Sequence, residues 1–140
     1  MRWICIIPLF LLGLACSGSK DAAMKYDWLD GTWVPVKQEF GGKPLPAAAF
    51  QKQSLVISDS SYTVTAESVD KGTLVYGANK MDIYGKEGPN AGKHITAIYK
   101  FENDQLTICY NLAGDSYPEA FTTKGEASLF LSVFKKEGMN

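Results

Sequence analysis

The stretch Met81–Asn111, MDIYGKEGPNAGKHITAIYKFENDQLTICYN, decides the fold. It divides into three strand-like runs, Met81–Lys86, His94–Phe101 and Gln105–Asn111. The first link, Glu87–Lys93, is rich in Gly, Pro and Asn, and the second is the tight Glu102-Asn103-Asp104 turn. Ile95, Ala97, Tyr99 and Phe101 fall on one face with period 2, as do Leu106, Ile108 and Tyr110. That alternation marks half-buried antiparallel strands. Asp82, His94, Thr96, Thr107, Cys109 and Asn111 take the opposite, more polar face. Burial stabilises the apolar set by roughly 25 cal/mol per Å² removed from water, so that set is expected to point inward.

The same reading extends outward. Strands are expected at Thr32–Phe40, Ser54–Ser58, Tyr62–Ala66, Gly72–Tyr76 and Ser128–Lys136, which with the first three makes eight. Asp59-Ser60-Ser61, Asp70-Lys71-Gly72 and Gly77-Ala78-Asn79 read as turns. Gly41–Pro46 is a breaker-rich link, and Ala47–Lys52 suits a short helix with Pro46 near its start, a lid or plug over one barrel end. Leu112–Ala127 is the one long connection, expected to cross a barrel end. An all-β meander of eight short antiparallel strands closes most economically as an up-and-down barrel, which leaves no open edge.

The N-terminus is of another kind. Residues 1–15 read as a signal segment: Arg2 supplies the positive end, and Ile4–Leu12 is an apolar run too short to span a bilayer. Gly13-Leu14-Ala15-Cys16 resembles the bacterial lipobox, which implies that Cys16 carries a diacylglycerol thioether and becomes the mature N-terminus. Ser17 after it, rather than Asp, implies outer-membrane retention by the sorting rule for such proteins. Residues 16–27 then form a polar tether, and residues 28–137 a single domain. Of three cysteines, Cys5 leaves with the signal, Cys16 is acylated and Cys109 remains alone, so no internal disulfide is expected. The 14 basic residues less Arg2, against 15 acidic ones, leave a net charge near −2. No basic cluster calls for nucleic acid or an anionic membrane surface.

Gly31-Thr32-Trp33, at the head of the first strand, resembles the G-x-W signature of lipocalins. The resemblance implies that Trp33 plugs the closed end of a barrel beneath a basic residue of the last strand, here Lys135 or Lys136. With Asp82-Ile83, Gly85, Gly92-Lys93, Ala97-Ile98-Tyr99, Leu106-Thr107-Ile108-Cys109, and Pro118 before Phe121, the chain is similar to a small lipocalin-like domain family. That family is abundant in planctomycetes and also found in other bacterial lipoproteins. It often has Arg before that Pro, where this chain has Tyr117. The resemblance implies a calycin-type barrel and little chemistry.

His94 is the only histidine, which rules out a two-histidine metal site. A Cys109–His94 pair could in principle activate a thiolate, and Asp82, His94 and Cys109 could hold zinc, but a lone strand cysteine is more often a small packed side chain. Gly85, Gly88 and Gly92-Lys93 lack P-loop spacing and read as a flexible mouth loop. Glu67, Asp70 and Glu87 read as solvated loop carboxylates. No catalytic constellation, cofactor site or metal site emerges. Two classes remain. One is a membrane-tethered binding module holding a small apolar or amphipathic molecule at the barrel mouth, with Trp33, Tyr84, Tyr99 and Tyr110 as candidate contacts. The other is a filled barrel whose loops Glu87–Lys93 and Leu112–Ala127 contact an envelope protein, as an inhibitor would.

The anchor is directly testable. Each acyl CH₂ buried in a bilayer contributes about 0.8 kcal/mol, and two or more chains make attachment durable. Cys16→Ser should therefore move the protein from the membrane fraction to the soluble fraction, and a variant that still sediments with membranes would sink the lipoprotein reading.

Overall fold

The computed structural model describes residues 27–138. The signal segment, Cys16 and the tether up to residue 26 lie outside the described residues. After a 3-10 turn at Asp27–Leu29, the strands are β1 (Gly31–Phe40), β2 (Lys43–Pro44), β3 (Ser54–Ser58), β4 (Ser61–Thr65) and β5 (Val69–Tyr76). They continue as β6 (Lys80–Glu87), β7 (His94–Glu102), β8 (Gln105–Asn111) and β9 (Leu129–Lys136). Each of β3 to β8 pairs antiparallel with the next, and β1 pairs with both β3 and β9. The result is a closed eight-stranded antiparallel barrel, with the two-residue β2 as a flap on the far end of β1.

The pleat sorts most side chains as the sequence period predicts, with Phe101, expected inward, instead 42% exposed. Ile95, Ala97, Tyr99, Leu106 and Ile108 are buried in one core with Leu55, Ile57, Leu74 and Met81. Asn103 and Asp104 both take positive φ (52° and 60°), the type I′ geometry that matches the twist of a two-residue hairpin.

One end of the barrel is plugged by aromatics. The Trp33 indole N–H donates to the Leu29 carbonyl at 2.8 Å, and Lys136 Nζ lies 5.5 Å over the Trp33 ring. Lys136, not Lys135, is thus the basic partner, and its ammonium also donates to the Trp28 carbonyl at 3.3 Å. Phe101 meets Trp33 edge-on at 6.2 Å, and Tyr99 and Tyr76 pack as a T at 6.5 Å. Gly31 has a physical reason here. Its φ is +139°, and a Cβ would come 2.5 Å from Lys136 Cε, so any larger residue would push the lysine off the indole.

Four expectations are corrected. The helix at Ala47–Lys52 is only a 3-10 turn over Ala47–Ala49; its alanines bury nothing, while Phe50 leaves helical geometry and is buried. This segment runs along the part of β1 that has parted from β3. There Leu45 N–H donates to the Gln38 carbonyl, and Gln38 bonds the Gln53 side chain. Asp70-Lys71-Gly72 is strand, not turn, because β5 starts at Val69 and the reversal lies at Ala66–Ser68. Asp70 is buried, not solvated. Finally, Leu112–Ala127 does not cross a barrel end. It straps the outside of β7–β9, where Ile98, Cys109 and Leu131 form a second apolar cluster that Tyr117 and Phe121 cover. Thr96 Oγ1 donates to the Ser116 carbonyl at 2.5 Å, and Asn111 Nδ2 to Asp115 Oδ1 at 2.8 Å, which fix the strap to the wall.

Trp33 is 1% exposed. Its truncation leaves a cavity under Lys136, so Trp33→Ala should cost roughly 3–5 kcal/mol in denaturant melts. A loss below about 1 kcal/mol would mean that the plug does not organise this end.

Candidate functional site

The end opposite the Trp33 plug opens into the barrel. A cavity of about 290 Å³ is floored by Leu74, Met81, Ile83 and Ile108 and rimmed by Ala66, Ser68, Pro89 and Leu112. Its lining is mostly apolar, with a small hydrogen-bonded polar group made by Tyr62, Asp70 and Asn90 and further polar atoms on Ser68 and Tyr110. Asp70 lies on β5 in frame with Gly72, Leu74 and Tyr76, so the strand pleat turns its carboxylate inward. It is 8% exposed.

The mouth loop is built around that carboxylate. Asp70 Oδ1 accepts from the Asn90 backbone N–H at 3.0 Å, and Oδ2 accepts from Asn90 Nδ2 at 2.9 Å and from the Tyr62 hydroxyl at 3.2 Å. Burial, then the Asp70 charge and hydrogen bond, raise the Tyr62 pKa far above that of an ordinary phenol, so Tyr62 is a donor at all ordinary pH. The Glu87–Lys93 link, read from sequence as a flexible mouth loop, is closed by Gly85 N–H to the Lys93 carbonyl and Gly92 N–H to the Gly85 carbonyl. Gly85 makes this possible, since a Cβ there would overlap the Asn90 carbonyl oxygen. Asn90 is thereby tucked into the mouth.

The aromatic candidates separate. Tyr110 lines the cavity, beside Phe130 at 5.7 Å between ring centroids, and burial raises its pKa. Trp33 and Tyr99 belong to the plug at the other end, where the Tyr99 hydroxyl donates to the Gly77 carbonyl. Tyr84 stands on the outer wall, 37% exposed and stacked on His94 at 4.7 Å, and does not reach the interior. The period of β6 explains this, because Tyr84 shares the parity of outward Asp82. Asp70, Asn90 and Tyr62 were missed as a group. The inward parity of Asp70 with Leu74 was the available signal, hidden by reading Asp-Lys-Gly as a turn.

A second polar group decorates the outer wall. Asp82 Oδ2 accepts from the Tyr117 hydroxyl at 2.5 Å, and Asp82 Oδ1 lies 2.7 Å from His94 Nε2. The Tyr117 hydrogen bond holds the Asp82 carboxyl below its ordinary pKa, against an opposing push from burial, and His94 adds to the lowering. The same bond raises the Tyr117 pKa. Stability from the lowered Asp82 pKa is therefore present above the ordinary carboxylate range and lost as pH falls through the folded value. Cys109 does not join this group. It is fully buried under the strap, with its Sγ 4.0 Å from the Thr122 carbonyl, and burial pushes its thiol pKa up. Among the described residues, no three His, Cys, Asp or Glu side chains gather as a metal site.

No protein-family model, curated protein or solved structure matches the chain.

Cys109 reports on the strap. A buried thiol with a raised pKa should react slowly with iodoacetamide at pH 7. Asp82→Asn, which weakens the tie to Tyr117, should speed labelling about threefold or more by letting the strap open locally. Fast labelling of the native protein that His94→Ala slows would instead mark a thiolate nucleophile.

Proposed function

We propose that this protein is a lipid-anchored, lipocalin-like binding module of the bacterial envelope that holds one small apolar or amphipathic molecule in its open barrel end. The observation that carries the reading is the cavity of about 290 Å³ at the end away from the Trp33 plug. Eight strands leave an interior that is either filled or just wide enough for a single small ligand. Here aromatic rings pack around Trp33 at one end, and the other end is hollow. Apolar walls with a few convergent polar groups are the ordinary makeup of a small-molecule site. The hollow interior favours this reading over a filled barrel that acts only through its loops. The Cys16 anchor, the outer-membrane location and kinship to the lipocalin-like family rest on the sequence motifs and belong to the same proposal.

N-phenyl-1-naphthylamine, a neutral apolar dye, tests the binding reading. It should brighten on adding the protein and saturate at one site. Ala66→Trp, at the rim, should weaken that binding about tenfold or more while leaving the thermal melt in place, since Ala66 is exposed. Native mass spectrometry of the protein from its own cells should show a retained small-molecule mass that the same variant loses. Dye binding unchanged in Ala66→Trp would place the site elsewhere.

A further inference from the structure

The chemistry of the mouth narrows the class of ligand, and this step rests on the binding reading above. Among the described residues, Asp70 is the only carboxylate or basic side chain lining the cavity. All three of its hydrogen-bond donors are neutral: the Asn90 amide N–H, Asn90 Nδ2 and the Tyr62 hydroxyl. The ion pairs among the described residues join Lys37 to Glu39, His94 to Asp82 and Lys100 to Glu102, and none reaches Asp70. Lys71, the next residue on β5, is exposed and points to the other face. A carboxylate offers about four acceptor positions, so one remains after the three bonds. An almost buried carboxylate with no cation beside it is stabilised by an incoming positive charge and repels an incoming negative one.

We propose that the cavity selects a cationic amphiphile: a primary-amine or similar ammonium head paired with Asp70 at the rim, and an apolar tail on the floor formed by Leu74, Met81, Ile83 and Ile108. The site is correspondingly poor for fatty acids, whose carboxylate would face Asp70 across an apolar, weakly screening space. Asn90 bonds both carboxylate oxygens and Tyr62 only Oδ2, so the remaining acceptor position belongs to Oδ1 of a side chain that lines the cavity. These bonds also hold the mouth loop closed, and a purely structural Asp70 would do only that.

Three probes of equal tail length separate these roles: n-octylammonium, 1-octanol and octanoate, each titrated calorimetrically into the full chain. Octylammonium should bind at least tenfold tighter than octanol, and octanoate weaker than octanol. Asp70→Asn should abolish the preference for octylammonium over octanol, read as the ratio of the two affinities in the same variant. Tyr62→Phe keeps the charge and removes one neutral donor, so it should maintain or widen the preference even if Asp70→Asn fails to fold. Octanol binding with no preference for the ammonium, or a preference that survives Asp70→Asn, would overturn the assignment of Asp70 and leave the binding reading standing. If none of the three binds, the binding reading falls, and this inference with it.

Discussion

The barrel depends on β1 pairing along both of its edges. It meets β9 over seven residue pairs, from Trp33 with Lys136 to Phe40 with Phe130, but it meets β3 only through Gly31, Thr32 and Trp33. The sheet closes at those three residues and splays beyond them. Pro35 has no N–H to continue a ladder, and the register slips just after it, between Pro35 and Lys37. The extra residue shifts the alternation along β1 by one, which keeps it in step with β9: Trp33 and Pro35 are buried before the bulge and Gln38 after it. One end is therefore narrow and stoppered by Trp33, while the splayed side admits the 45–53 segment, with Gln38 bonded to both Gln53 and Ser132.

That asymmetry decides where a ligand can go. At the narrow end Trp28, Trp33, Tyr76, Tyr99 and Phe101 pack against one another in tilted and edge-on contacts. At the wide end most of the lining is aliphatic, and among the described residues Tyr62, Tyr110 and Phe130 bring aromatic rings to the cavity. The mouth loop then turns in over the gap because Asp70 offers it two acceptor oxygens. A buried carboxylate is expensive without partners, so the loop and the acid stabilise each other in place. The same group shapes the mouth and sets its charge.

The wall is not uniformly polar on its outside. Ile98, Leu131 and Val133 point outward from β7 and β9, and Cys109 joins them from β8. The strap answers that exposed apolar stripe. Its Phe121 packs on the cluster while Lys100 Nζ lies 4.6 Å over its ring, and its Tyr117 reaches Asp82 on β6. Thr123 is fully buried, and its hydroxyl accepts from the Gly42 N–H at 2.9 Å, so the strap also ties back to the turn after β1.

The sequence by itself determined the strand count of the barrel, the inward face of β7 and β8, the Asn103-Asp104 hairpin and the Trp33 plug under a lysine of the last strand. Each is a local matter of period 2, turn chemistry or a short motif, and burial makes the register unforgiving. What only the tertiary structure decided are contacts between distant residues. Asp70 reads as a turn residue until Asn90, twenty positions on, is seen to close over it. Leu112–Ala127 carries no period, so only the apolar stripe on the outer wall says where it lies. The candidate aromatics were legible as aromatic, but not as belonging to opposite ends of one barrel. Which end is hollow follows from where β1 leaves β3, and that depends on packing across the whole sheet.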